Sequence, residues 1–158
     1  MTELLSDKFQ PGQLLMHPEY AAWAEELRSH GITIVDPTQT LYTLNTKKPA
    51  FLRTDTHWTP EGMQAAAAQL AQVLQEDGTL LQNQSYNTMD SMVSHRGDIY
   101  TMLRLADDTD RIPLEEAGTK VVLDAAGSFH SRQRNAEILL LGDSFTNIYS
   151  VANTGKKG

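Results

Sequence analysis

A chain of 158 residues has the length of one ordinary domain, and at that size folding buries roughly 70% of the surface that the unfolded chain exposes. With 40% apolar and 21% charged residues the composition is that of a globular protein, and a net charge of −7 with a pI near 5.1 disfavours a nucleic-acid backbone or an anionic membrane surface as partner. The lack of cysteine excludes disulfides, thiolate metal sites and a cysteine nucleophile, no apolar run approaches the ~18 residues of a membrane span, and "MTELLSDKFQPGQ" lacks the basic start and apolar centre of a secretory signal.

In chain order, Tyr20, Trp23, Ala24 and Leu27 recur at spacings of three and four and predict a helix over residues 19–30, ended by Gly31. "ITIV" reads as a short buried strand, broken by "DPTQ", and helix followed by strand is the pattern of an α/β sheet. "AFLR" is a further extended piece. Thr59 is then expected as the N-cap of a helix with Pro60 at its first position and Gly78 at its end, its apolar face carrying Met63, Ala66, Ala67, Leu70, Ala71 and Leu74. Residues 82–117 are polar and weakly periodic, and read as loops around one short helix. "KVVLD" and "SFHSR" around "AAG" suggest a hairpin. "EILLL" reads as the clearest buried strand, continuous in apolar residues as parallel strands are.

Two motifs carry chemistry. "TDTHW" places Asp55 and His57 just before a helix, and in an extended segment residues i and i+2 point to the same side, so both side chains reach one site. A carboxylate beside an imidazole fixes its tautomer and stabilises the imidazolium, as a base in acyl transfer requires. The plainer alternative is a turn Asp and a surface His. In "LLLGDSF", Gly142 permits a sharp turn and Ser144 falls at the start of a helix, where free N–H groups favour negative charge. Ser144 there is either a helix cap or a nucleophile. Each motif supplies what the other lacks, because a serine hydroxyl is a poor nucleophile until a base takes its proton.

Other residues rank lower. In "HRGD", the Gly97 backbone or Arg96 could support an oxyanion, as could Asn147, one turn beyond Ser144, although a solvated polar loop is the plainer reading of the first two. Trp58 either flanks the site as a sugar platform or packs in the core. Asp55, His57 and Asp143 around a divalent ion, as in a metal-dependent phosphoesterase, would leave Ser144 unexplained, and no cofactor or metal is expected.

"LRTDTHWTPEGM", "HRGDIYTML" and "ILLLGDSFTNIYS", in this order, resemble the alginate O-acetyltransferases of the AlgJ and AlgX type, which carry an SGNH-hydrolase-like domain. The likeness runs from about residue 20 to residue 150. Ordinary SGNH hydrolases have Gly-Asp-Ser near the start and Asp and His near the end; the reversed order here is that family's circular permutation. The resemblance implies an α/β fold, three-layer α/β/α with a mainly parallel sheet. It also implies a single domain over 1–158, as a shortened form or a fragment of a larger domain. Ser144 matches the family's nucleophile, His57 its base and Asp55 the acid that orients the base. The implied activity is acetyl transfer to hydroxyls of an exopolysaccharide such as alginate in the bacterial periplasm. The implied partners are a polysaccharide acceptor, an acetyl donor and other proteins of an acetylation system. A carbohydrate acetylesterase, or a non-catalytic carbohydrate-binding or scaffold domain, are the competing readings.

Overall fold

Thr59 starts the longest helix of the computed structural model, which describes residue 14 and residues 16–79, 86–104, 114–130 and 135–152. The Thr59 hydroxyl accepts the Gly62 N–H at 3.1 Å and donates to the Pro49 carbonyl at 2.8 Å, so the cap also ties the helix to the chain before it. This helix, α3 (Pro60–Glu76), ends where Gly78 takes a φ of +78°, a left-handed conformation suited to glycine. Upstream, α1 (Tyr20–Ser29) buries Ala24 and is likewise followed by a left-handed glycine, Gly31, while α2 (Thr38–Asn45) packs against α3.

The chain is an α/β structure in which the described residues contain one sheet. It has two antiparallel strands, β1 (Asn87–His95) and β2 (Glu115–Leu123), paired from Asn87 opposite Leu123 to His95 opposite Glu115. A short helix, α4 (Asp98–Met102), follows β1. On β2, Ala117, Thr119 and Val121 are buried between exposed neighbours, which gives the sheet one inner face. Leu52, Val93, Ala117 and Tyr149 form the core, with Trp58, Met63 and Ile148 packed against it. Tyr149 comes from the last helix, α5 (Ser144–Ala152).

Several expectations need correction. "ITIV" joins no sheet among the described residues, and Asp36-Pro37 opens α2 instead of breaking the chain: the Asp36 carboxylate accepts the Thr38 N–H at 2.9 Å. The segment read as loops contains β1, whose polar residues gain extended structure from pairing with β2. The "AAG" turn is present, with the Asp124 N–H on the Ser128 carbonyl at 2.8 Å and a bridge between Leu123 and Phe129; the end of the expected second strand, and all of "ADDTDRIP", fall outside the described residues. "EILLL" is not a buried strand: Leu139 and Leu141 are 79% and 81% exposed, and no strand pairs with them among the described residues. The sheet seen here is accordingly antiparallel, not parallel.

Candidate active site

The segment that carries Asp55 and His57 hangs between two small anchors. Phe51 and Trp58 form an isolated bridge, closed by the Leu52 N–H on the His57 carbonyl and the Thr59 N–H on the Ala50 carbonyl, both at 3.0 Å. Between them residues 53–57 bend. The bend is held from β2 by Glu115, whose carboxylate accepts the backbone N–H groups of Arg53 and Thr54 at 3.0–3.2 Å and the Thr54 hydroxyl at 3.1 Å.

Inside this bend Asp55 and His57 meet, and both are buried. Asp55 Oδ1 accepts the His57 backbone N–H at 2.9 Å and lies 2.5 Å from His57 Nδ1. The contact expected from their spacing is therefore made, but by an Asx turn in a bent segment and not by the alternation of a strand. Asp55 Oδ2 accepts the Asp98 N–H at 3.1 Å. Burial pushes the Asp55 carboxyl upward, but the hydrogen bonds from the His57 backbone and ring and from Asp98 outweigh it, so the carboxyl is held below its ordinary value of 3.8. Asp55 is thus a carboxylate near neutral pH, able to hold the imidazole with Nδ1 protonated and Nε2 free to accept. Nε2 is buried and has no hydrogen-bond partner among the described residues.

The "HRGD" segment docks onto the bend edge to edge. Gly97 donates its N–H to Thr54 Oγ1 at 3.3 Å, and a Cβ at this position would overlap the Thr54 carbonyl and the Asp55 nitrogen. Only glycine permits that approach. The Asp98 carboxylate accepts the Thr56 N–H at 2.8 Å and the Thr56 hydroxyl at 2.5 Å, and its Oδ2 lies 3.7 Å from His57 Nδ1. Arg96 stacks over Tyr100 at 5.2 Å, with its buried Nε unpartnered among the described residues.

Ser144 is the first residue of α5, and it is exposed. The turn is capped by Asp143: its Oδ1 accepts the Phe145 N–H at 2.9 Å and its carbonyl accepts the Thr146 N–H and hydroxyl. The capping role that competed with nucleophile for Ser144 thus belongs to its neighbour. Gly142 is needed because a Cβ there would overlap the Thr146 side chain. The next residue, Phe145, lies over the His57 ring with centroids 4.7 Å apart and meets Trp58 edge-on at 5.3 Å. Further along, Tyr149 donates its hydroxyl proton to the Trp58 carbonyl at 2.8 Å. Its hydroxyl is pushed up by burial and by the carboxylates of Asp55, Glu61 and Glu115, so it stays a donor at all ordinary pH.

Two α5 residues therefore grip the Asp55–His57 segment and bring the helix start beside the imidazole. No hydrogen bond joins Ser144 to His57 among the described residues. Asn147 is exposed on α5, and Trp58 is half-buried between the core and Phe145. Asp98, Glu115 and Phe145 escaped the sequence reading. Asp98 stood in a segment already singled out, whereas nothing local marks Glu115, which acts from 61 residues away.

One oxygen or nitrogen of each of Asp55, His57 and Asp98 falls within 4.8 Å of the others, the spacing of a metal-ligand group. The donor set fits a cation poorly, because both oxygens of both carboxylates already accept protein N–H or O–H groups or the imidazole. A cavity of about 430 Å³, lined by Lys48, Leu52, Arg53, Thr59, Glu61 and Glu115 among others, adjoins the segment, but Asp55, His57 and Ser144 do not line it. No helix among the described residues is long and apolar enough to cross a membrane.

The model of the "SGNH hydrolase-like domain, acetyltransferase AlgX" matches residues 2–153. This chain belongs to that AlgX family. Among curated proteins it is similar to the probable alginate O-acetylase AlgJ of Azotobacter vinelandii, 40% identical over 57 residues that make up 35% of this chain and 15% of that protein. Among solved structures it is similar to the O-acetyltransferase domain of Pseudomonas putida AlgJ, with a TM-score of 0.52 and 24% identity over 73% of this chain and 41% of that one. This likeness supports the AlgX-family α/β fold. The chain spans well under half the length of either relative.

Proposed function

We propose that this chain carries the acyl-transfer centre of an O-acetyltransferase, with Ser144 as nucleophile, His57 as base and Asp55 as the acid that orients the base. The observation that carries this reading is the imidazole itself: Nδ1 is held by a buried carboxylate, Nε2 is unpartnered among the described residues, and the residue after Ser144 packs against the ring.

In the first step His57 Nε2 takes the Ser144 hydroxyl proton as Oγ attacks the carbonyl carbon of an acetyl donor. The tetrahedral oxyanion is stabilised by the Ser144 N–H at the start of α5 and by a second donor, for which Asn147, on the same helical face, and Gly97 are the candidates. The Gly97 N–H would have to leave Thr54 Oγ1 to serve. The donor's leaving group departs with the proton from His57. In the second step His57 removes the proton of a polysaccharide hydroxyl, whose oxygen attacks the acetyl carbon; the Ser144 Oγ–carbon bond breaks and Oγ regains the proton. Water in place of the sugar would make the same centre an esterase.

Family membership and the similarity to a probable alginate O-acetylase support alginate, or a related exopolysaccharide, as acceptor and the periplasm as the place of action, with other acetylation proteins supplying the donor. Arg96 and Trp58 are read as flanking the acceptor. The same reading takes residues 1–158 as one SGNH-hydrolase-like domain of three layers with a mainly parallel sheet and permuted motifs.

Mass spectrometry after treatment with a serine-directed acylating reagent tests the centre. An adduct on Ser144 that is lost in His57→Ala is expected; equal labelling of the two proteins overturns the assignment. Supplying a model acetyl ester with alginate oligosaccharides, and measuring acetylated oligosaccharide against free acetate, separates transferase from esterase.

A further inference from the structure

We propose that Asp98 is a positioning residue for the base, holding the Asp55–His57 segment in its working shape through Thr56. The inference rests on the reading of His57 as the base for Ser144.

Asp98 touches each residue of the Asp-Thr-His sequence. Its backbone N–H holds Asp55 Oδ2 at 3.1 Å, its carboxylate accepts both the N–H and the hydroxyl of Thr56, and its Oδ2 is 3.7 Å from His57 Nδ1. The Asp55 carboxylate is held at both oxygens, by the His57 backbone N–H and ring on Oδ1 and by the Asp98 N–H on Oδ2, so it cannot turn about its last bond without straining one of these contacts. The paired bonds to Thr56 fix the peptide group that separates Asp55 from His57. Together they set where the imidazole stands relative to α5, and the docking that allows them depends on Gly97.

Thr56 is exposed and Asp98 is partly exposed, so water replaces the lost hydrogen bonds when the Asp98 side chain is removed. Fold stability then changes little. Placement of the base suffers, and placement is what an acyl transfer is most sensitive to, since a shift of about 1 Å can cost on the order of 100-fold in rate.

The test measures kcat and KM for p-nitrophenyl acetate, with thermal midpoints, for the full chain and its variants. Asp98→Ala is expected to lower kcat by about 10- to 100-fold with KM within about twofold and an almost unchanged midpoint. Asp98→Asn, which keeps an acceptor for the Thr56 N–H, is expected to recover most of that loss. Thr56→Val is expected to lose several-fold, and Asp98→Ala with Thr56→Val to be no slower than Asp98→Ala alone, because both act through one contact. Wild-type kcat in Asp98→Ala, or losses that multiply in the double variant, overturns the proposal. If Asp98→Ala fails to fold, the Asp98→Asn and Thr56→Val comparison decides in the same way. Ser144→Ala separates the two levels: undiminished turnover there removes the base assignment and this inference with it, whereas an inactive Ser144→Ala beside a fully active Asp98→Ala overturns the positioning role alone.

Discussion

A single oxygen of Asp55 serves two nitrogens of His57, the backbone N–H at 2.9 Å and Nδ1 at 2.5 Å. The residue is thereby fixed at its main chain and at its ring by the same acceptor. The imidazole has no freedom to turn Nε2 toward Asp55 without giving up the ring bond, which sets the tautomer that a base needs.

Replacing that oxygen by an amide group is therefore expected to be severe. In Asp55→Asn the side-chain amide either donates to the ring, forcing the wrong tautomer, or accepts without a charge to stabilise the imidazolium. Turnover of an acetyl ester should fall by about 10³- to 10⁴-fold, measured as kcat at neutral pH.

The same carboxyl gives the stability a pH dependence of known sign. Its folded value lies below the ordinary 3.8, so its contribution is present above roughly pH 4 and is lost as the pH falls through the folded value. Denaturant unfolding of wild type and Asp55→Asn across pH 2–7 should show the difference between them widest near neutrality and narrowing toward acid.

Phe145 is expected to matter more than its position beside the serine suggests. Phe145→Ala removes the ring that lies on His57 and against Trp58, contacts of a kind that contribute about 0.5–1.5 kcal/mol each beyond simple burial. Acylation of Ser144 should slow by about tenfold or more, while Phe145→Tyr should retain most of the rate; stopped-flow acylation measures both.

Thr59→Ala tests the anchor of α3. The variant loses the cap to Gly62 and the bond to Pro49, and a destabilisation of about 1–2 kcal/mol is expected from denaturant titration.

Gly97→Ala probes the docking of "HRGD". The backbone there has a φ of −64°, acceptable to any residue, so the obstacle is the overlap of a Cβ with the Thr54 carbonyl. Parting the two segments should cost about 1–3 kcal/mol and should lower turnover further than Asp98→Asn does.

How far the sequence could be read followed the range of the forces involved. Both long helices α1 and α3 were legible because periodicity, the Thr59–Pro60 start and the closing glycines act within a few residues. α2 escapes a local reading because Asp-Pro signals a break and a helix start alike, and here the Asp36 carboxylate serves the start. β1 was missed because Asn87–His95 is largely polar and owes its extended form to pairing with a distant strand, from His95 with Glu115 to Asn87 with Leu123. "ITIV" and "EILLL" carry apolar runs, but an apolar run states a need for burial and does not name the neighbour that supplies it. In the candidate site, the contact of Asp55 with His57 was legible in their spacing and the helix start at Ser144 in its Gly-Asp turn. Glu115 and Asp98 bind the first motif through tertiary contacts that leave no local trace.

The bent segment has a further consequence for how the protein folds. Its shape depends on Asp98, Glu115 and Tyr149, groups that stand 42 to 91 residues further along the chain. The Asx turn and the Phe51–Trp58 bridge can form locally, but loops of that length must close before the bend gains its tertiary partners. Helix α3 can begin from its own cap, but the segment just ahead of it has to wait for the hairpin and for the last helix. The geometry of the Asp55–His57 segment is thus completed late in folding, and amide exchange at Thr54 and Thr56 should report the docking of α4 and β2 more faithfully than any probe within α3.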